Sequence, residues 1–345
     1  MKLGIIGLSA SGKTTVFEAL TREFAGAGGG TETRIGTIHV PDSRIDKLSE
    51  IYKPKKTIYA QVEYLLPGKA EQKKQGNGDD EALMRAVRDT DALIHVVRNF
   101  SAYAMEPADP ENDFLLLDQE LMSTDLGVVE RRLERMDMEA KKGKAPGEEE
   151  RGLLEQCREI LKNGTPLRQY SSLAESRILR GYGLMSAKPV LLLFNNSDED
   201  ESLPGLSQSL SKETCMVIRG KLEHELSQMT EEEASELLEE FGIAAPATDR
   251  VIRASYEILG LISFFTVGED EVRAWTIKKA TPALEAAGVI HSDIKKGFIR
   301  AEVVSYEDYI AAGSMAAARK NANLRLEGKT YEVKDGDIIT FRFNV

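Results

Sequence analysis

The 345 residues carry 57 acidic against 45 basic side chains, a formal net charge of −12, with 41% hydrophobic content. That length accommodates an α/β core and at least one further module, and the charge argues against a general polyanion binder, because phosphate backbones reward clustered Lys and Arg. No apolar run approaches the roughly 20 residues of a membrane span, and Cys157 and Cys215 make neither a disulfide nor a zinc spacing, so a cytoplasmic protein without membrane contact is expected.

Residues 3–7 are a short apolar strand, too brief for a signal peptide, and a helix is predicted from Lys13 to Arg22 behind a glycine-bearing turn. Further buried strands are expected at Val62–Leu66, Ala92–Val97 and Val190–Phe194, the pattern of a mostly parallel sheet. The sheet is interrupted by Met122, Leu126, Val129, Leu133, Met136 and Ala140, which repeat at alternating steps of four and three, a heptad seam. A turn at 142–147 and the same spacing in Leu154, Cys157 and Leu161 predict an antiparallel helical hairpin. The acidic runs Glu148–Glu150 and Glu231–Glu233 read as solvated helix faces. Past Leu261 the pattern changes to strands at Phe298–Val304 and Ile338–Phe343, a helix near Tyr306–Lys320 and a turn at Asp335-Gly336-Asp337, a small α+β domain. The charge is uneven: Arg273–Val345 holds 12 Lys/Arg against 9 Asp/Glu, leaving this end +3 and the remainder −15.

Gly7–Thr14 (GLSASGKT) fits the phosphate-loop pattern GxxxxGK[ST], and it stands directly after a strand and opens a helix. There the backbone N–H groups of Ser9, Ala10, Ser11 and Gly12 are free to approach phosphate oxygens, and the helix N-terminus adds partial positive charge. Lys13 is the candidate catalytic cation for the β and γ oxygens, Thr14 the candidate Mg²⁺ ligand, and Thr15 stands behind it. His39, His95, His224 and His291 have no metal-ligand spacing, and Trp275 reads as core.

With these stretches in hand, the chain resembles the Obg-like/YchF family of P-loop NTPases over almost its whole length. The resemblance rests on 40–56 (VPDSRIDKLSEIYKPKK), 91–100 (DALIHVVRNF), 249–266, 271–303 and the terminal LRLEGKTYEVKDGDIITFRFNV. It implies a P-loop G domain over 1–109 and 184–261, a helical hairpin insertion over 110–183, and a ubiquitin-like β-grasp TGS domain over 262–345. It further implies Mg²⁺ with GTP or ATP, slow hydrolysis, and association with the ribosome or another translation component, with RNA contact through the TGS domain. Base recognition in the family uses Asn-x-x-Glu, which falls here on Asn195-Asn196-Ser197-Asp198, with Asn195 and Asp198 as the contacts and the following element on Gly220-Lys221-Leu222, where Arg219 replaces the family's Ser. Three departures stand out. After Val62-Glu63-Tyr64-Leu65 the family continues Asp-x-x-Gly, whereas this chain has Leu66-Pro67-Gly68-Lys69; the family's hydrolytic histidine aligns with Ala86; and the first switch is AGAGGGTETR, leaving Thr31 or Thr33 as substitute Mg²⁺ ligands. These losses predict nucleotide binding with weak turnover. The alternatives are a non-cycling nucleotide-binding adaptor and, more remotely, a small-molecule kinase.

Overall fold

The computed structural model describes residues 1–24, 32–68, 86–101, 106–143, 147–205, 212–240, 243 and 245–344. The chain divides into two compact units, Met1–Thr37 with Glu63–Val251 and Ile38–Val62 with Ile252–Val345.

The first unit is built on strands β1 (Lys2–Ile6), β2 (Arg34–His39), β4 (Gln61–Leu66), β5 (Ala92–Asn99), β6 (Val190–Asn196) and β7 (Thr214–Ile218). They assemble in the order β2-β4-β1-β5-β6-β7, with β4, β1, β5, β6 and β7 mutually parallel. Every residue of β6 is buried, as expected of a strand covered on both faces. Because the chain passes from β1 to β2 and β4 on one side and then crosses from β4 to β5 on the other, a crevice opens at the C-terminal end of β1, where open α/β sheets bind ligands.

The predicted helical interruption is present. Helices Pro110–Lys141 and Glu148–Lys162 close on one apolar cluster that holds Met122, Val129, Leu133 and Met136 against Leu154, Cys157 and Leu161. The ion pairs Glu130 with Lys162 and Asp137 with Arg151 run in opposite chain directions, which fixes the helices as antiparallel. Glu150 is not a simple solvated residue: its carboxylate accepts from Arg132 Nε at 2.9 Å and Nη2 at 3.1 Å and from the Tyr182 hydroxyl. Glu233, by contrast, closes a reciprocal cap with Thr230, which opens the helix Glu231–Glu240. Below the hairpin, Arg168 is enclosed with Asp118 and Glu213, donating to Asp118 Oδ1 and Oδ2 at 2.8 and 3.0 Å and to Glu213 Oε1 at 2.9 Å.

The second unit carries β3 (Lys56–Ile58), β8 (Leu261–Val267), β9 (Glu271–Lys278), β10 (Phe298–Ser305), β11 (Arg325–Glu327) and β12 (Asp337–Phe343) in the order β11-β10-β12-β8-β9-β3. Apart from β3, this is the β-grasp order, with β12 parallel to β8 between antiparallel neighbours. Helix Ala283–Ile290 lays Ala283, Ala286 and Ala287 on Phe264, Ile277, Val303 and Ile339. Trp275 packs against this core, its indole N–H donating to Thr266 Oγ1 at 2.9 Å. Two features differ from the sequence reading. The single helix expected near Tyr306–Lys320 is two, Tyr306–Ala312 and Met315–Lys320, because Gly313 takes φ +77° and Ser314 caps a new start through Ala317 N–H. The segment Ile38–Val62, assigned by sequence to the G domain, clusters with the second unit: β3 pairs in parallel with β9, Lys56 opposite Glu271.

Candidate nucleotide site

Helix α1 (Lys13–Thr21) begins at Gly12, whose φ of +92° is left-handed, and the loop before it also turns through Ala10 at φ +59°. These reversals wrap the backbone of residues 7–12 around the helix N-terminus, with Ser9 and Ala10 exposed and Ser11 buried. Lys13 folds back over the loop, Nζ donating to the carbonyls of Gly7 at 2.8 Å and Leu8 at 2.6 Å. Thr14 is exposed at the first turn of the helix. The buried Ser11 hydroxyl has no hydrogen-bond partner, an orphaned polar atom inside the loop.

The other predicted residues converge on the same loop. Asn195, at the end of β6, donates from Nδ2 to the Ser11 carbonyl at 3.0 Å and accepts through Oδ1 from Gly220 N–H at 2.9 Å. One amide therefore ties the phosphate loop to the start of helix Gly220–Ser227. Its fit is close on both sides: a Cβ on Gly12 would stand 2.2 Å from Asn195 Nδ2, and one on Gly220 would stand 2.6 Å from Oδ1. Asp198 accepts from Leu222 N–H at 3.2 Å and faces the exposed Lys221 ammonium at 3.5 Å. Arg219, in the place of the family's Ser, bonds the Asp198 carbonyl at 3.3 Å and pairs with Glu201 at 2.8 Å. Asn196 points elsewhere, bonding the carbonyls of Asp200 and Ser202 and the side chain of Asn99.

At the end of β4, Leu66 is buried and Pro67 follows it, so the position where an aspartate was missed by sequence offers no carboxylate. Ala86 packs partly buried against the cluster of Ile6, Leu65 and Leu93 and presents a methyl group. Thr31, the segment 25–31 and the segment 69–85 lie outside the described residues, while Thr33 is exposed just before β2. Among the described residues no group of three His, Cys, Asp or Glu side chains is placed to hold a metal.

The sequence reading missed one linkage. Glu18, on α1, accepts from Arg34 Nη1 at 2.9 Å and meets His224 Nε2 at 3.1 Å, so the phosphate-loop helix is tied both to β2 and to the helix Gly220–Ser227. Phe24 sets its edge on the His224 ring, and a cleft of about 550 Å³ opens beside them, lined also by Ser227 and Gln228. The residues are separated by up to 206 positions, and no local signal marks them as partners.

His95, mid-strand in β5, is 2% exposed and its Nε2 has no hydrogen-bond partner. Burial, aided by the positive charges of Arg168 and Lys13, pushes its pKa down to about 3. The unfolded ring titrates near 6.5, so in the window between the two values the unfolded state binds the extra proton. Stability is therefore whole above that window and falls with decreasing pH inside it, by about 1.4 kcal/mol per pH unit from this group. Urea midpoints at pH 7.5, 6 and 5 are expected to drop accordingly, and His95→Leu is expected to remove that slope; an unchanged slope in the variant refutes the assignment.

A protein-family model for the YchF-GTPase C-terminal domain, described as a protein of unknown function, matches residues 261–344. Over 99% of both chains, this one is 37% identical to the "Ribosome-binding ATPase YchF" of Bacillus subtilis (strain 168). The protein of the same name from Escherichia coli O157:H7 is 36% identical over 100% of this chain and 99% of its own. The chain belongs to the YchF family. Among solved structures, the Schizosaccharomyces pombe YchF GTPase superposes with a TM-score of 0.85 at 30% identity, covering 99% of this chain and 97% of the other. A GTP binding protein from Pyrococcus horikoshii OT3 shares the fold, at a TM-score of 0.63 and 17% identity. YchF-family membership accounts for the order of modules, and a P-loop G domain with a separate C-terminal domain is the family's plan.

Proposed function

We propose that the chain is a ribosome-associated nucleotide-binding factor that takes ATP or GTP with Mg²⁺ at Gly7–Thr15 and hydrolyses it slowly. The observation that carries this reading is the loop itself: left-handed backbone at Ala10 and Gly12, a lysine over the loop carbonyls and an orphaned Ser11 hydroxyl together fit a polyphosphate. In this reading Lys13 exchanges its two carbonyl partners for β and γ oxygens, and backbone N–H groups of the loop orient them. Bound Mg²⁺ shares the polyphosphate charge, and Thr14 is the side chain of the loop that would hold it. Asn195 holds the base-side strand end against the phosphate loop, and Asp198 faces the base, where guanine N–H groups would compete with Lys221 for its carboxylate. The names of the relatives support ribosome association, and the basic C-terminal unit is the part suited to RNA. In this reading a cytoplasmic location goes with ribosome association, as the relatives' names suggest.

Leu66 and Ala86 favour a second reading, an adaptor that binds nucleotide without cycling, because neither side chain can position water or steady Mg²⁺. Calorimetric titration of ATP and GTP with Mg²⁺, followed by phosphate release, separates the two. Binding that vanishes in Lys13→Ala, with turnover below about 1 per second, is expected. Binding without any release leaves the adaptor, and no binding to either nucleotide defeats both readings.

A further inference from the structure

The 21 residues Gly220–Glu240 hold eight glutamates against one lysine, a net −7 of the chain's −12. Elsewhere in the first unit carboxylates meet guanidinium groups of the same unit, Glu18 with Arg34, Glu150 with Arg132 and Glu213 with Arg168. Here the internal counter-ions are missing. Glu223 turns inward, accepting from Ala247 N–H at 2.7 Å and Thr248 N–H at 3.2 Å, and Lys221 faces Asp198 at the base-side end. Among the described residues no cation pairs with Glu225, Glu233 or Glu236. Glu236 follows Glu232 by one helical turn, and Glu239 lies in the last turn of Glu231–Glu240, where the helix dipole disfavours negative charge and no basic residue offsets it. Both placements work against the helix on its own.

The same segment forms a groove with an apolar component. At the end of helix Gly220–Ser227, Glu225, Gln228 and Met229 stand at steps of three and four, and Glu233, Glu236 and Leu237 repeat that spacing on the next helix. The two stripes line one groove of about 520 Å³. Each runs acidic, polar, apolar, so carboxylates are set beside Met229, which is 36% exposed, and the half-buried Leu237. A metal ion does not account for this, since among the described residues no group of three His, Cys, Asp or Glu side chains is placed to hold one. Nucleic acid is repelled by it. A peptide that carries cationic side chains along one edge and apolar ones at steps of three and four meets both requirements, its charged heads reaching the carboxylates while its apolar anchors cover Met229 and Leu237.

We infer that the groove between helices Gly220–Ser227 and Glu231–Glu240 docks a lysine- or arginine-rich amphipathic segment of a partner protein. The occupant is cationic because the groove's own carboxylates lack counter-charges, and amphipathic because methionine and leucine share the groove with them. The docked segment would also touch the element that serves the nucleotide site: Gly220 N–H is bonded to Asn195, and Gln228, just past the other end of that helix, lines the groove.

The test uses the full chain without nucleotide, so that it stands apart from the nucleotide reading, and three fluorescein-labelled peptides of about 14 residues. One is built of lysine and leucine with the leucines at steps of three and four, one has the same composition scrambled, and one is oligolysine. By fluorescence anisotropy the patterned peptide is expected to bind at least about tenfold more tightly than either of the others. Glu225→Gln/Glu236→Gln is expected to weaken it by about tenfold, as two lost ion pairs imply, while the equal-charge control Glu134→Gln/Glu175→Gln, two exposed carboxylates elsewhere in the first unit, leaves it unchanged. Met229→Gln is expected to weaken the patterned peptide by about fivefold and oligolysine not at all. Glu225→Lys/Glu236→Lys is expected to lose the cationic peptide and to take up a glutamate–leucine peptide of the same pattern, a gain that a misfolded chain does not produce. A parent that does not bind the patterned peptide, or that binds oligolysine or the scrambled peptide as tightly, overturns the inference and leaves an unspecific acidic surface. Equal losses in the groove pair and the control pair, or a charge-reversed chain that ignores the acidic peptide, overturn it as well.

Discussion

Gly12→Ala is expected to lower the affinity for ATP and for GTP by at least about a hundredfold while the chain stays folded, a loss on the order of 3 kcal/mol. Two independent effects lead there. The backbone at position 12 sits at φ +92°, a conformation that strains any side chain by about 1 kcal/mol or more. The new methyl would also stand 2.2 Å from Asn195 Nδ2, so the amide must swing away and release the Ser11 carbonyl. The loop then loses both its left-handed turn and its tie to β6, and its N–H groups no longer converge. Gly220→Ala is the informative companion. Its Cβ would press on the other end of the same amide, at 2.6 Å from Oδ1, but its φ is not left-handed. A smaller loss, of about tenfold, is expected there, from the shared bridge alone. Calorimetric titration of the two variants against the parent decides the matter; equal losses would show that the bridge, and not the loop conformation, governs affinity.

Arg168→Ala is expected to destabilise the first unit by about 3 to 5 kcal/mol, since it strands two buried carboxylates, Asp118 and Glu213, without a counter-charge. All three side chains are less than a tenth exposed, so water offers the orphaned charges little relief. Arg168→Lys keeps the charge but lacks the planar fork that spans Asp118 and reaches Glu213, and an intermediate loss of roughly 1.5 to 3 kcal/mol is expected. Replacement of the whole triad, Arg168→Met with Asp118→Leu and Glu213→Leu, is expected to recover most of the loss, because a buried ion cluster seldom outperforms packed apolar side chains of similar volume. Urea unfolding at neutral pH reads all three, and a single-site loss below about 1 kcal/mol would mean that the carboxylates reach solvent after all.

The phosphate loop was legible in sequence because its chemistry is local: glycine conformations, a lysine and a helix start lie within eight residues, Gly7–Thr14. The hairpin was legible for a similar reason, since the heptad spacing of Met122, Val129, Leu133 and Met136 writes its buried face directly into the chain. Asn195 could be nominated from its motif, but its bridge between Ser11 and Gly220 belongs to tertiary structure. Glu18 looks like any helix glutamate until Arg34 and His224 arrive from distant strands and helices. Gly313 was a visible breaker that the apolar pattern around it obscured. The grouping of Ile38–Val62 with the C-terminal residues was beyond reach, because a three-residue strand such as Lys56–Ile58 carries no record of its pairing partner.

That last pairing sets a timetable for the newly made chain. Lys56 lies opposite Glu271, 215 positions further along, and all of that chain must leave the synthetic machinery before the strand meets its neighbour. At about 5 to 20 residues per second, roughly 10 to 40 s pass with β3 and helix α2 (Ser43–Tyr52) made but unpaired. Ile45 and Leu48, fully buried in the finished protein, have no partner from their own unit during that interval other than this short segment. The nascent chain therefore carries the apolar face of this helix and an open strand edge through that interval, and a C-terminal piece begun at Leu261 would be born with the complementary edge of β9 bare.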